Sequence, residues 1–438
     1  MSVLPERLTA ADASNFVLDA PDHVNAFLMA GVLAPGGCVG LDGGVDLDAL
    51  RRAVAERVPA VPRLAQRVRH AGRALVWEPV RLDLDRHVRQ VGAVDGRGGF
   101  EALCARLVVT PLPLDGPLWE LLVVPGVAPA RAGIVLRVHH AMADGIAAVG
   151  LARALMDPVV VERTAEEPAR AARSVGERAS TRSAAVEPAS SDGTRGLRQR
   201  ARAFAAGLER TTSVLRRGVP PTALLGRVGR RRAVTFVDVD LAGLAAGARS
   251  AGATVNDALL VAAAGAARSA LLALGEDPPG VLPTSVPVAL PYRGRSGNAV
   301  GVMLVPLPTE AGDLAGRLRR VAGLTRAAKQ EARTRGTFEL TRTRLGTWLF
   351  ERLARRQRFV VMFVTNVRGP AHPLALAGAR VERIWPVAAL GGDVRLGVAA
   401  ISYDGVLRCA VHCDADALPA VVVGQSLGDG LAAVAALG

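Results

Sequence analysis

The stretch VLRVHHAMADGIAAVG, residues 135–150, sets His139 and His140 side by side where a short apolar, β-branched run ends, with Asp144 and Gly145 a few residues beyond. Only seven histidines occur in 438 residues, so an adjacent pair asks for a reason. An imidazole titrates near neutrality and can take a proton from a hydroxyl, then return it to a leaving group. A strand end that opens into a cleft is where such a base reaches a substrate, which makes His140 the candidate general base with His139 beside it. Asp144 is acceptor-only when ionised and suits an arginine partner that would fix the loop. Gly145 permits a sharp turn or close helix packing. The same residues also admit a structural reading, in which both histidines satisfy buried partners and Asp144 caps a helix starting near Gly145.

Other nucleophile chemistry has little support. Cys38, Cys104, Cys409 and Cys413 show no paired spacing and read as free thiols in a reducing compartment. No metal is expected. The net charge is +14, and Lys329 is the sole lysine, so arginine supplies nearly all the positive charge. Aromatics make up 3% of the chain and Tyr292 and Tyr403 are the only tyrosines, too few to interleave with cations as a single-strand binder requires. No nucleic-acid partner is expected; an anionic membrane surface or an anionic cosubstrate such as coenzyme A fits the charge at least as well. The opening MSVLPERLTAADAS lacks a basic region followed by an apolar one, and no uninterrupted apolar run reaches about 18 residues. The expectation is a cytoplasmic protein whose membrane contact is peripheral.

The elements that must position these residues alternate between helix and strand. Val45 to Arg57 has helical spacing behind Asp46 and Asp48, and Ala132 to Val138 reads as a short buried strand. From about Val159 to Gln199 small, charged and turn-forming residues remove any apolar period. Beyond this stretch, AVTFVDVDLAGLAAGARSAGATVNDALLVAAAGAARSALLALG predicts a strand, a helix, a turn and a long Ala-rich helix. GVLPTSVPVALPYR, NAVGVMLVPLPT, FVVMFVTNVRGP and LGVAAISYDGVLRCAVHCD predict strands, and EAGDLAGRLRRVAGLTRAAKQEAR a surface helix. Strands interleaved with helices in both halves indicate an α/β architecture. The expected division is an N-terminal domain over 1–158, a flexible linker over 159–200 and a C-terminal domain over 201–438.

The spacing of His139, His140, Asp144 and Gly145 matches the HHxxxDG signature of coenzyme-A-dependent acyltransferases, and further segments agree with one branch of them. LTAADASNFVLD with Asp12 and Phe16, PLDGPLWELLVV with Pro117, Leu118 and Trp119, and TVNDALL with Asn256 and Asp257 follow in order. GNAVGVMLVPLP with Gly297 and Asn298, and TNVRGP with Asn366, Gly369 and Pro370, complete the series. On these residues the chain resembles the bacterial wax ester synthase/acyl-CoA:diacylglycerol acyltransferase family across nearly its whole length. Arg368 stands where that family more often has proline.

The resemblance implies two chloramphenicol-acetyltransferase-like domains, each a mixed sheet flanked by helices, with the active-site channel between them. It implies an O-acyltransferase that moves a fatty acyl group from acyl-CoA, a cosubstrate rather than a permanently bound cofactor, to diacylglycerol or a long-chain alcohol. It also implies catalytic roles for His140, His139 and Asp144, with Gly145, Asn256, Asp257 and Trp119 in support. The residues themselves leave plainer readings open: Trp119 as a core residue whose indole finds a partner, Asn256 as a helix cap and Asp257 as a first-turn acid. The alternative function is a tailoring acyltransferase that uses the same core on a polyketide, sugar or other specialised-metabolite hydroxyl.

LTRTRLGTWLFERLARRQRF, residues 340–359, mixes apolar residues with Arg342, Arg344, Arg352, Arg355, Arg356 and Arg358. Such a pattern suits a core-packed helix with a solvated face, or a basic helix lying on an anionic membrane or lipid droplet. Residues 160–198 lack the apolar content to offset the entropy of ordering. Limited proteolysis is therefore expected to cut there first and leave two associated fragments; protection of this stretch would contradict the linker assignment.

Overall fold

The computed structural model describes residues 6–17, 19, 24–72, 74–143, 145–158, 219–289, 300–310, 312–334 and 358–438. The 159–200 linker, Asp144, Tyr292, Gly297, Asn298 and the basic stretch up to residue 357 lie outside the described residues.

Two large mixed sheets carry the architecture. The first contains β2 (Ala26–Leu33), β5 (Val88–Gln90), β6 (Trp119–Ala128), β7 (Arg131–His139), β8 (Asp157–Pro158), β13 (Leu374–Leu376) and β14 (Ala379–Val387), in the order β5-β6-β7-β2-β14-β13-β8. A small sheet of β1 (Glu6–Arg7), β3 (Gln66–Ala71) and β4 (Ala74–Pro79) lies apart from it. The second large sheet contains β9 (Arg232–Asp240), β10 (Val281–Ala289), β11 (Val300–Pro308), β12 (Met362–Arg368), β15 (Leu396–Tyr403) and β16 (Val406–Asp414), in the order β11-β10-β12-β15-β16-β9. Within it β12 runs parallel to both β10 and β15, and the remaining neighbours are antiparallel.

Every residue of β2 is buried, as is all of β7 after Arg131, so both read as continuous apolar runs rather than alternating ones. On one face of the first sheet lie α2 (Leu47–Arg57) and α5 (Gly145–Leu155), and on the other α4 (Gly96–Leu107). Asp46 caps α2 through its side chain, which accepts from Ala49 N–H at 2.9 Å. The helices α6 (Leu241–Ser250), α7 (Val255–Ala273), α8 (Leu314–Thr334) and α9 (Ala420–Ala435) pack with the second sheet in one core. The α7 helix is long and apolar enough to cross a membrane, and two thirds of it is buried inside this core. Its Ala-rich surface lets helices approach closely, and at Gly247 on α6 an added Cβ would lie 1.8 Å from the Val434 carbonyl on α9.

The sheets do not separate at one point in the chain. β13 and β14 come from the second half and complete the first sheet, with Val387 opposite Leu28 and Trp385 opposite Ala30. Around Trp385 the two halves share a core. Phe236 of β9 stacks on the indole with centroids 4.4 Å apart and 9° between planes, and Phe100 of α4 sits 5.9 Å from Phe236. Trp385 Nε1 donates to Asp238 Oδ1 at 2.6 Å, and Glu101 of α4 accepts from Phe236 N–H at 2.8 Å. Arg97, also on α4, reaches across to the Phe236 carbonyl and lies 5.5 Å from the Trp385 ring. Truncating a buried tryptophan removes its transfer energy and leaves a void, at a cost of roughly 3–5 kcal/mol. Trp385→Ala is expected to lower the denaturant midpoint by that amount of stability; an unchanged midpoint would show that this cluster does not hold the halves together.

Candidate active site

The histidine pair sits at the end of β7 because the ladder with β2 runs out there. Ala26 is the register partner of His139, and the next residue, His140, opens a turn. Backbone bonds hold the turn from both sides. His139 N–H donates to the Leu118 carbonyl at 3.0 Å, and His140 N–H donates to the Asn25 carbonyl at 2.9 Å. Met142 N–H returns to the His139 carbonyl at 2.9 Å.

The two imidazoles occupy different environments. His139 is 1% exposed, and its Nδ1 accepts the Ala141 N–H at 3.0 Å. With that lone pair engaged, the neutral ring carries its proton on Nε2, which faces the Asp19 carboxylate at 3.5 Å. Phe16 covers this ring with its centroid 5.9 Å away. His140 is half-buried and presents its ring to Phe27 edge-on, centroids 5.1 Å apart. Whereas His140 keeps partial exposure, His139 is thus enclosed by its surroundings.

The N-terminal segment is what fixes it. α1 (Ala10–Val17) brings Asn15 and Phe16 against the motif. Asn25 Nδ2 donates to the Asn15 carbonyl at 2.8 Å, and Asp19 Oδ1 accepts from Asn25 N–H at 2.8 Å. The Asp19 carboxylate therefore spans the strand start at Asn25 and the ring of His139. Asp12, 5% exposed, lies on α1 with its N–H on Thr9 Oγ1 at 3.2 Å.

The remaining motif residues fall around this core. Gly145 opens α5, and a Cβ there would lie 3.6 Å from Val367 Cγ2, so the C-terminal end of β12 meets the helix that follows the histidines. At Gly369 a Cβ would lie 2.4 Å from the Ser402 carbonyl, which explains a glycine where TNVRGP leaves the sheet. Trp119, fully buried, starts β6 opposite Val138; its Nε1 donates to the Leu64 carbonyl at 2.8 Å, and its ring stacks on His87 at 4.9 Å. It braces the strand next to the histidines.

Asn256 is half-buried in the first turn of α7, and Asp257 beside it is buried. Asp257 Oδ2 accepts from Thr254 N–H and Oγ1 at 2.8 and 2.7 Å, and Oδ1 accepts from Thr325 Oγ1 at 2.7 Å. Both of its oxygens are committed to the α7 cap and to joining α7 with α8. Asp144, Gly297 and Asn298 lie outside the described residues.

The four cysteines are buried free thiols. Burial pushes each thiol up, Cys413 to about 12, so none is poised as a nucleophile near neutral pH. Two residues of the site go without a role in the sequence reading. Asp19 closes the LTAADASNFVLD segment with no role of its own assigned there, and Asn25 precedes β2 with no motif spacing to mark it.

Removing Asp19 strands the buried Asn25 N–H and takes away the carboxylate facing His139, at a cost of roughly 1–3 kcal/mol for such a group. Asp19→Ala is expected to lower both the melting temperature and the acyl-transfer rate. Asp19→Asn, which keeps an acceptor for Asn25, should retain more of the stability. Thermal unfolding of the two variants separates these outcomes, and an Asp19→Ala protein that melts with the wild type would remove Asp19 from this role.

Comparison with known proteins places the chain in a family. Residues 8–259 match the wax ester synthase/diacylglycerol acyltransferase catalytic domain, and residues 296–424 match the C-terminal domain of the same family. A Mycobacterium tuberculosis protein named as a diacylglycerol O-acyltransferase is 30% identical over 401 residues, covering 85% of this chain and 84% of its own. A wax ester synthase/diacylglycerol acyltransferase from Marinobacter aquaeolei superposes with a TM-score of 0.68 at 19% identity, covering 98% of each chain. The first condensation domain of the calcium-dependent antibiotic synthetase shares the fold with a TM-score of 0.60 at 16% identity, covering 99% of this chain and 96% of its own. With both family domains matched in sequence order, this chain belongs to the wax ester synthase/diacylglycerol acyltransferase family of acyl-CoA-dependent O-acyltransferases.

Proposed function

We propose that His140 is the general base in transfer of a fatty acyl group from acyl-CoA to the hydroxyl of diacylglycerol or a long-chain alcohol. The observation that carries this assignment is the bond from Ala141 N–H into His139 Nδ1. It occupies one lone pair of His139 and puts the proton on the nitrogen that faces Asp19, so His139 has no free site at which to accept a substrate proton. His140 adjoins it in sequence, is half-buried, and stands in the turn where β7 ends.

The steps follow from proton bookkeeping. His140 takes the hydroxyl proton as the alcohol oxygen attacks the thioester carbonyl. The tetrahedral intermediate collapses, the carbon–sulfur bond breaks, and the imidazolium returns the proton to the departing CoA thiolate. The net change exchanges a thioester for an oxygen ester, and the acyl group passes directly between substrates. Acyl-CoA serves as cosubstrate. A lipid acceptor is met at a membrane or droplet surface, and the excess of arginine favours an anionic one.

A general base contributes roughly 10²–10⁴-fold to such a step. His140→Ala is expected to lose that factor in CoA release from palmitoyl-CoA while keeping the wild-type far-UV spectrum and melting temperature. His139→Ala should lose stability as well as rate, because it abandons the Ala141 N–H and Asp19. Near-wild-type turnover by folded His140→Ala would overturn the assignment. A panel of diacylglycerol, long-chain alcohols and soluble polyols in the same assay identifies the acceptor class.

A further inference from the structure

Away from the histidines, a cavity of about 480 Å³ lies between α4 and the segments that enter β9 and leave β16. Arg106 and Thr110 line it from the α4 side, and Arg230, Arg231 and Arg232 line it from the other. Arg231 is paired with Asp416 at 2.7 Å. Among the described residues, Arg106, Arg230 and Arg232 form no ion pair. Asp414 is the register partner of Arg232, yet its oxygens are taken up by Gly229 N–H at 2.7 Å and Asp416 N–H at 3.0 Å, with Arg395 at 3.8 Å. Nε and Nη1 of Arg232 are both buried and have no hydrogen-bond partner.

Arg232 is half-buried, with two buried, unbonded nitrogens and the Asp414 charge as its nearest offset, and with Arg106 and Arg230 beside it the cavity gathers three guanidiniums suited to an anion. The planar fork of donors matches phosphate oxygens in pairs. We propose that this cavity is a phosphate site and that it holds the phosphorylated head of acyl-CoA.

This assignment rests on the acyl-transfer reading above, and two observations favour CoA over another phosphate. The acyl chain and the alcohol acceptor are uncharged, so the 3′-phosphate and pyrophosphate of CoA are the only strongly anionic groups among the reactants. The cavity is also tied to the histidine strand. Arg137 of β7, two residues before His139, donates to the Leu107 carbonyl at 3.2 Å and to the carbonyl of Thr110, which lines the cavity. Arg137 thus joins the strand that carries the histidines to a residue of the cavity wall.

Titration calorimetry with CoA, 3′-dephospho-CoA, pantetheine and inorganic phosphate tests the site directly, without turnover. The wild type is expected to bind CoA at least ten-fold more tightly than pantetheine, with affinity falling as salt rises. The triple variant Arg106→Gln, Arg230→Gln, Arg232→Gln should close that gap. Arg230→Glu, a single change at an exposed position, should weaken CoA binding in a protein whose fold is not in question. In steady state the triple variant should raise KM for palmitoyl-CoA ten-fold or more while kcat changes less than twofold.

Unchanged CoA affinity in both variants overturns the proposal. So does loss of inorganic phosphate binding with CoA affinity intact, which would make the cavity a site for free phosphate. Tight, arginine-dependent CoA binding by a wild-type protein that transfers no acyl group would sustain this site and sink the proposed function, so the two failures are distinguishable.

Discussion

The antiparallel pairing of β14 with β2 is the constraint on which the rest of the site depends. β14 belongs by sequence to the second half of the chain, yet it lies directly against β2, whose other neighbour is the histidine strand β7. A one-residue slip in this pairing would turn Trp385 away from Phe236 and Asp238. It would also shift every second-half residue relative to His139 and His140. The contact between Gly145 and Val367 follows from the same placement. Geometry at the histidines is thus set by a strand that contributes no side chain to the chemistry.

Around this frame, most polar groups inside the protein answer a definite partner. Asp257 spends both oxygens within the second half, and Asp19 spends its oxygens on Asn25 and His139. Arg137 is buried beside Glu120, which also accepts from Arg89 at 3.1 Å. Burial pulls the Arg137 guanidinium below its ordinary range while Glu120 opposes the shift. Breaking such a pair costs more than never having made it, because the survivor is left charged and dry. Single nitrogens of Trp77, Arg137, His139, Arg317, Arg408 and His412 lack a hydrogen bond, and Arg232 has two such nitrogens.

Local chemistry in the sequence marks many elements well. LGVAAISYDGVLRCAVHCD folds as the β15–β16 hairpin, with Asp404 and Gly405 at φ of 48° and 76°, the left-handed conformation that a tight two-residue turn demands. Val45 to Arg57 contains α2 behind its Asp46 cap, and Ala132 to Val138 lies within β7. The sharing of β13 and β14 between halves had no such signal. Strand pairing across more than 300 residues leaves no local period, and AGARVERIWPV reads equally well as an edge strand of either sheet. Asp19 closes LTAADASNFVLD, yet its role is not local for a related reason: the ring it faces is 120 residues away. The arginines of the cavity registered only as net charge, since Arg106 and Arg230 to Arg232 converge in space and not in sequence.

Arg137 connects these observations physically. Its strand carries the histidines, its guanidinium takes the Leu107 and Thr110 carbonyls beyond the last turn of α4, and its partner Glu120 follows Trp119 at the start of β6. Carbonyls at a helix end carry partial negative charge and would repel a phosphate placed beside them. By engaging the Thr110 carbonyl, Arg137 removes an acceptor from the wall of the cavity that Arg106, Arg230 and Arg232 line. A single buried cation therefore has two roles near the histidine end of its strand: it anchors the end of α4 to the sheet that positions His140, and it takes up a carbonyl of the cavity wall where an anion would dock.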